Sequence, residues 1–168
     1  MVSALIPSKR VVEGIQCAAR VPDLHLLVAG DGELRDQVDA CGRELMGSRF
    51  QRLAVPHEAM PDLYRAADLF LHMSQNDPSP LAYVEALATG LPVVAHDSIV
   101  TRWTFEDQGT LVDTSDGAAV TRAIQRALRL RTPDHVAARR DLVARRFTWR
   151  RIARAYADFF EELLLARA

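Results

Sequence analysis

Two hydrophobic periods alternate along this chain, and the alternation limits the fold more than any other feature of the sequence. Short apolar runs with the length of a strand are followed by longer segments in which apolar residues recur every three or four positions. Strands are predicted at 2–6, 24–29, 49–55, 69–73, 91–95 and 110–112. Because strands that alternate with helices form parallel sheets with right-handed crossovers, the sequence predicts a doubly wound, Rossmann-like α/β fold of about six parallel strands.

Helical segments fill the intervals between these strands and the end of the chain. They include predicted helices at 7–20, 133–146 and 149–165. A loop with Trp103 and Phe105 is expected before the sixth strand, and Ser115 is expected to cap the helix after that strand. No repeat, low-complexity tract or Gly/Ser linker interrupts the sequence, so residues 1–168 are interpreted as one domain. A fold of this kind binds its ligand at the carboxyl ends of the strands.

Charge and cysteine usage exclude several classes of protein. The net charge is −1, with nine Lys+Arg against seventeen Asp+Glu in residues 1–121 and twelve against five in residues 122–168. The chain as a whole is therefore not expected to bind nucleic acid. Cys17 and Cys41 have neither C-x-x-C nor metal-ligand spacing, which favours a reducing, cytoplasmic location. No apolar run approaches the roughly 18 residues of a membrane span, and residues 1–10 do not resemble a signal peptide.

A glycine turn follows the second predicted strand. Gly30 and Gly32 flank Asp31 between that strand and a helix, where glycines allow backbone amides to approach a phosphate. Arg35 stands where a dinucleotide-binding motif has its third glycine. A tight turn without a ligand explains the two glycines equally well, so both interpretations stay open.

The segment 74–92 carries the most specific pattern of the chain. Asp77 lies in the loop after the fourth predicted strand, and Glu85 lies eight residues later inside a helix that begins near Leu81. The free amides of that helix face the same cleft as the two acids. Carboxylates bind sugar hydroxyls and amides at a helix N-terminus bind diphosphate, so the pattern favours a nucleotide-sugar ligand. The residues on either side of Glu85 are apolar, and an acid in such a helix needs a partner or a ligand.

The residues 74–94, SQNDPSPLAYVEALATGLPVV, resemble the donor-site segment of glycosyltransferase family 4, the retaining GT-B enzymes. That segment has two glutamates eight positions apart and a Gly-x-Pro-Val-Val strand. Three earlier stretches resemble other parts of the family in register, namely VSALIPSKR, LVAGDGE and PDLYRAADLF. The first looks closest to members that use GDP-mannose-like donors. The resemblance covers nearly the whole chain and implies one Rossmann-like half of a GT-B fold.

The resemblance implies roles for the matching residues. Lys9 would neutralise the donor diphosphate, Asp77 would hold donor-sugar hydroxyls, and Glu85 would bind the ribose hydroxyls. The further substrate contacts implied are the amides near Pro80, Leu81 and Ala82, the turn of Gly30 and Gly32, and the loop with His57 beside the base. Such enzymes use neither a metal nor another cofactor, because lysine, arginine and a helix dipole take that role.

Three positions depart from the family pattern. Ala4 stands where the family usually has an arginine, and Arg10 either compensates for it or lies on a solvated helix face. Asp77 is one methylene shorter than the usual glutamate. Pro80 replaces a glycine, which fixes φ and removes one amide donor. These departures bear on rate and donor identity more than on fold.

Only the second, donor-binding half of a GT-B enzyme is matched. We therefore expect the chain to need an N-terminal, acceptor-binding half as partner and to be inactive alone. A stand-alone nucleotide-binding Rossmann module with a regulatory or scaffolding role is the alternative. His57, His72 and His96 lack the spacing of a metal site and are interpreted as core, loop or rim residues.

The C-terminal helices are basic and amphipathic. Their arginines are Arg139, Arg140, Arg145, Arg146, Arg150, Arg151 and Arg154. Three interpretations remain open for them: a solvated face, contact with the other half, or peripheral contact with an anionic membrane. An apolar stripe consists of Ile152, Tyr156, Phe159, Phe160 and Leu163. Its default interpretation is core packing.

Overall fold

The computed structural model describes residues 1–77 and 81–165 and shows strands that alternate with helices. The strands are β1 (Leu26–Ala29), β2 (Phe50–Leu53), β3 (Phe70–Leu71), β4 (Val93–His96) and β5 (Thr110–Val112). The helices are α1 (Val11–Ala19), α2 (Arg35–Met46), α3 (Met60–Ala66), α4 (Leu81–Ala88), α5 (Ile99–Phe105), α6 (Gly117–Leu128), α7 (Pro133–Arg146) and α8 (Trp149–Leu165). The predicted α/β class with C-terminal helices is confirmed.

All strand pairs within the described ranges are parallel. Strand β1 pairs with β2, and β4 lies between β3 and β5. Val2 adds one parallel bridge to Ala29, on the edge of β1 opposite β2. The strands thus form two parallel sheets, one of two strands and one of three, rather than the single sheet that the sequence predicts.

The first predicted strand, 2–6, is wrong beyond that bridge. The amide of Leu5 donates to the carbonyl of Asp31, and the carbonyl of Leu5 accepts from the amide of Leu34. The chain after Ser3 therefore leaves the sheet and packs over the turn that follows β1. Six predicted strands become five strands and one bridge in the parts of the chain that the structure describes.

The first predicted helix is divided in two. Pro7–Lys9 form a single 3₁₀ turn, and Arg10 adopts the left-handed conformation with φ 53° and ψ 40°. The amide of Arg10 donates to the carbonyl of Pro7, and α1 begins only at Val11. Lys9 thus ends the short turn rather than lying inside a long helix.

Two helix starts differ from the prediction. Helix α5 occupies the expected loop, because Ser98 and Thr101 form a reciprocal capping box in which each side chain accepts from the other's amide. Helix α6 is capped by Asp116 instead of Ser115, since the Asp116 carboxylate accepts 2.9 Å hydrogen bonds from the amides of Ala118 and Ala119. The Ser115 hydroxyl donates instead to Asp113.

Two hydrophobic clusters hold the helices on the strands. The first gathers around Ile15, Val28 and Ile124, where α1 packs against α2 and α6. The second gathers around Phe70 and Leu142, where α4 packs against α7. Burial of these apolar faces is the main force that holds the helices on the strands. The strand ends that carry the site are therefore held in place by this packing.

Arg139 is buried, contrary to all three interpretations of the basic helices. Its guanidinium donates to the carbonyls of Gln108, Gly90 and Leu130 at 3.4, 3.2 and 3.0 Å. Arg140 binds the carbonyl of Thr89, and Arg146 binds the carbonyl of Trp103 and the carboxylate of Glu106. The α7 arginines therefore tie this helix to its own domain.

Helix α8 has no buried residue, so the prediction that its apolar stripe packs into the core is wrong. Tyr156, Phe159 and Phe160 are more than half exposed. The main packing partner of this helix is α7. In the residues described, no helix combines the length and hydropathy that a membrane crossing requires.

Candidate functional site

A cleft of about 790 Å³ lies at the carboxyl ends of the strands. Its walls come from the N-terminal segment, the end of β1, the loop after β2, and His72 just past β3. Four of the predicted site residues line it: Lys9, Gly30, Asp77 and Ala82. The strand edge expected from the doubly wound topology is thus the edge that carries the cleft.

An ion pair joins two of the predicted site residues. The ammonium Nζ of Lys9 lies 2.8 Å from Oδ2 of Asp77, and the two side chains are only 21% and 11% exposed. Lys9 is the last residue of the 3₁₀ turn, and Asp77 lies in the loop after β3. Partial burial strengthens the attraction relative to a pair on the open surface. The cleft therefore holds one cation and one carboxylate in direct contact.

His72 stands behind this pair. Its Nε2 lies 3.3 Å from Oδ2 of Asp77, and its Nδ1 lies 2.9 Å from the hydroxyl of Tyr83. Burial lowers the pKa of His72 to about 4, and the positive charge of Lys9 adds to this effect while Asp77 opposes it. The imidazole is therefore neutral at pH 7. Sequence reasoning did not place His72 in the site, although its position at the end of a predicted strand was a usable signal.

Glu85 and His57 line a second pocket of about 370 Å³. Met60 lines this pocket and the larger cleft, so the two spaces adjoin at its side chain. The hydroxyl of Tyr64 donates a 2.8 Å hydrogen bond to Oε2 of Glu85. Burial, followed by the adjacent Glu85, raises the pKa of Tyr64, which keeps the hydroxyl protonated. Glu85 is half-buried among apolar residues, and the Tyr64 hydroxyl is the hydrogen-bond partner that such a carboxylate needs.

The glycine turn is explained by close packing of the backbone. A Cβ atom on Gly30 would lie 1.9 Å from the carbonyl oxygen of Ser3, and one on Gly32 would lie 2.6 Å from that of Leu5. The Gly30 amide donates to Leu53, and the Gly32 amide donates to the side chain of Asp31. Because both amides already have protein acceptors, the geometry favours the tight turn over a phosphate cradle.

The remaining predicted residues are spread around the cleft. Arg10 immediately precedes α1 and forms a 3.1 Å ion pair with Glu13 on that helix, so it does not lie on a helix face, and its compensation for Ala4 stays a prediction. Leu81 begins α4 and is exposed, while Ala82 on the next position lines the cleft. Pro80 lies outside the described residues. Within residues 1–77 and 81–165, no three His, Cys, Asp or Glu side chains are grouped as a metal site would require.

Comparison with known proteins identifies relatives of this chain by sequence. The sequence model of the family described as "Glycosyl transferases group 1" matches residues 1–144. The lipopolysaccharide core biosynthesis glycosyltransferase LpsE of Rhizobium meliloti is 32% identical over 113 residues, which are 66% of this chain and 33% of that protein. The mannosyltransferase LpsB of the same organism is 32% identical over 168 residues, 96% of this chain and 46% of that protein. The chain therefore spans less than half the length of these relatives.

A solved structure agrees over nearly the whole chain. Sucrose-phosphate synthase from Thermosynechococcus elongatus superposes with a TM-score of 0.85 at 26% identity, covering 98% of this chain and 45% of that one. The predicted architecture, one Rossmann-like half of a GT-B fold, is thereby confirmed. From the match of the family model to residues 1–144 and this shared fold, we conclude that the chain belongs to the glycosyl transferases group 1 family.

Proposed function

We propose that this chain is the donor-binding half of a retaining glycosyltransferase that transfers a sugar from a nucleoside diphosphate sugar in glycan synthesis. The observation that carries the proposal is the contact between Lys9 and Asp77 inside the cleft at the strand ends. A nucleotide-sugar needs a cation for its diphosphate and hydrogen-bond acceptors for its sugar hydroxyls. This pair supplies one of each within 2.8 Å.

The two adjoining pockets match the parts of such a donor. The larger one holds Lys9 and Asp77, which suit the diphosphate and the transferred sugar. The smaller one holds Glu85 and His57, which suit the ribose and the base. The Tyr64 hydroxyl donates to one oxygen of the Glu85 carboxylate and so fixes the orientation of that side chain. A carboxylate that is oriented in advance loses less entropy when it binds the vicinal hydroxyls of a ribose.

The chemical contribution of this half is to stabilise the leaving nucleotide. Negative charge grows on the diphosphate as the bond to the sugar breaks, and the Lys9 ammonium lies where it can offset that charge. The first amides of α4, beside Ala82, add the positive potential of a helix N-terminus. We propose that these groups act without a metal ion.

The second half of the enzyme is proposed to supply the acceptor. Helix α8 offers it an unpartnered apolar face and three exposed arginines: Arg150, Arg151 and Arg154. The same arginines would attract the anionic cytoplasmic surface of a membrane that holds a lipid-linked acceptor. Transfer needs the acceptor hydroxyl about 3–3.5 Å from the anomeric carbon, which one half cannot arrange.

The test combines binding and transfer. Residues 1–168 are titrated with nucleosides, nucleoside diphosphates and their sugar conjugates, including GDP-mannose and UDP-glucose, by calorimetry. We expect one base to be preferred and the diphosphate to be required. Transfer is then measured for the chain alone and for the chain fused behind the first half of LpsB. Activity of the fusion only is expected. Transfer by the chain alone, or no nucleotide binding at millimolar concentration, would contradict the proposal.

A further inference from the structure

A buried histidine connects a tyrosine on α4 with the carboxylate in the cleft. His72 is 4% exposed, and its two ring nitrogens contact different partners. Nδ1 lies 2.9 Å from the Tyr83 hydroxyl and Nε2 lies 3.3 Å from Oδ2 of Asp77. Tyr83 is itself fully enclosed, with its ring edge-on to Phe105 at 5.1 Å and edge-on to His72 at 4.8 Å between centroids.

The charges around His72 decide which nitrogen carries the proton. Oδ2 of Asp77 also accepts from the Lys9 ammonium, so it acts as an acceptor on this side of the ring. A bare lone pair on Nε2 would repel it, whereas an Nε2–H group donates to it. The neutral ring then has its lone pair on Nδ1, and the Tyr83 hydroxyl donates to that lone pair. Burial and Asp77 raise the pKa of Tyr83, which keeps this proton in place.

We propose that His72 is a positioning residue for Asp77, with its tautomer set by Tyr83. The proposal rests on the donor-sugar role of Asp77 proposed above. His72 Nε2 and Lys9 Nζ lie 3.3 Å and 2.8 Å from the same carboxylate oxygen, so two nitrogen groups face Oδ2 of Asp77. When a diphosphate draws Lys9 away, His72 still holds Asp77 in the cleft. The shorter aspartate is thus oriented by a chain of polar contacts that runs from Tyr83 on α4 through the buried His72.

The first experiment reads the tautomer without any ligand. Long-range ¹H–¹⁵N correlation spectra of the ¹⁵N-histidine protein report which ring nitrogen is protonated, and the His72 signals are assigned by their loss in His72→Gln. We expect the Nε2–H form in the wild type and a tautomer mixture in Tyr83→Phe. Tyr156→Phe, a tyrosine on the exposed face of α8, is the matched control and should retain the wild-type spectrum. An Nδ1–H or doubly protonated His72 at pH 7 would overturn the proposal.

The second experiment reads the effect on donor recognition. The measured quantity is the ratio of the Kd of GDP to the Kd of GDP-mannose, or of the UDP pair if the chain prefers uridine. His72→Leu and Tyr83→Phe should lower this ratio about five- to tenfold, with the Kd of the diphosphate itself changed less than about twofold. His72→Gln should retain most of the ratio, because its amide can donate from nearly the same position as Nε2. Equal losses for both ligands would assign His72 a structural role only.

The two experiments separate this proposal from the one on which it rests. A wild-type ratio of one would refute the donor-sugar role of Asp77. In that case the tautomer of His72 in the wild type, and its change in Tyr83→Phe, would still test whether His72 contacts Asp77 through Nε2–H. Asp77→Asn should move the Nε2–H proton resonance, since the carboxylate acceptor is lost. An unmoved resonance would show that His72 does not hold Asp77.

Discussion

Lys9 and Asp77 are separated by 68 positions in sequence, yet their side chains form a 2.8 Å ion pair in the cleft. The cation that suits a diphosphate is therefore engaged by a carboxylate before any ligand arrives. A diphosphate must compete with Asp77 for Lys9 and must also approach a negative group. This competition gives the first two predictions.

Asp77→Asn should strengthen the binding of a nucleoside diphosphate. The substitution releases Lys9 and removes the repulsion between carboxylate and phosphate, so we expect the Kd to fall about three- to tenfold in calorimetry at low salt. The same variant should lose the extra affinity for the sugar conjugate. A weaker diphosphate complex in Asp77→Asn would show that Asp77 does not compete for Lys9.

Lys9→Ala should weaken diphosphate binding by about one to two decades, because a charge-assisted contact contributes roughly 1.5–3 kcal/mol. Binding of the free nucleoside should be nearly unchanged. The double variant Lys9→Ala/Asp77→Asn is the sharper control, since it removes both the attraction and the uncompensated carboxylate. It should bind diphosphate more tightly than Lys9→Ala alone, and equal losses for nucleoside and diphosphate would contradict the role of Lys9.

Glu85→Gln should reduce the preference for ribonucleotides over deoxyribonucleotides. Its carboxylate is oriented by the Tyr64 hydroxyl, so Tyr64→Phe should produce a smaller loss of the same preference, about two- to threefold. Competition between a nucleoside diphosphate and its 2′-deoxy form measures both variants. If the preference survives in Glu85→Gln, the carboxylate only stabilises the fold.

Stability should fall in mild acid through His72. The unfolded chain protonates this residue near pH 6.5, but the folded chain does so only near pH 4, so the unfolded state binds more protons between these values. Above pH 6.5 the neutral His72 costs no unfolding free energy. As pH falls from 6.5 toward 4, the unfolded chain takes up this proton first and the free energy of unfolding decreases progressively. Between pH 7 and pH 5 the wild type should lose about 2 kcal/mol more unfolding free energy than His72→Gln. Identical pH profiles in urea denaturation would refute this.

Two neighbouring arginines on α7 should differ widely in their effect on stability. Arg139→Ala removes a buried hydrogen bond to Gly90 and two partly buried ones to Gln108 and Leu130, and should cost about 3 kcal/mol of unfolding free energy. Arg140→Ala removes one exposed contact with Thr89 and should cost less than about 1 kcal/mol. Chemical denaturation compares the pair, and similar losses would mean that the Arg139 contacts contribute little.

The sequence pattern predicted the fold where local signals agree with tertiary packing. The bounds of β5, α7 and α8 match their predicted ranges, since Thr110–Val112 is a short apolar run and Pro133 and Trp149 begin clear helical periods. Helix α5 was missed because its capping box uses Thr101 where glutamate or glutamine is usual, and Ile99 and Trp103 are exposed apolar residues. Its buried face consists of Thr101, Thr104 and Phe105, so the pattern lacked an apolar stripe at helical spacing.

Long-range contacts explain the other differences. The strand predicted at 2–6 ends early because the backbone of Leu5 bonds with Asp31 and Leu34, which are distant in sequence. The eight-residue spacing of Asp77 and Glu85 indicated a shared region, but it could not show that these acids line separate pockets. The sequence neighbours of His72 are apolar and indicated only a core position. Its two polar partners, Tyr83 and Asp77, come from later in the chain and could not be inferred from them.

Met60 lines both pockets, and the physical character of this side chain bears on the donor binding proposed above. Methionine is unbranched, and its three side-chain torsions and soft sulfur let it fill spaces of different shape at little cost. The boundary between the two spaces can move while the backbone of α3 stays in place. Under the donor-binding role proposed above, one rotamer change at Met60 would then adapt the two pockets to nucleobases of different size.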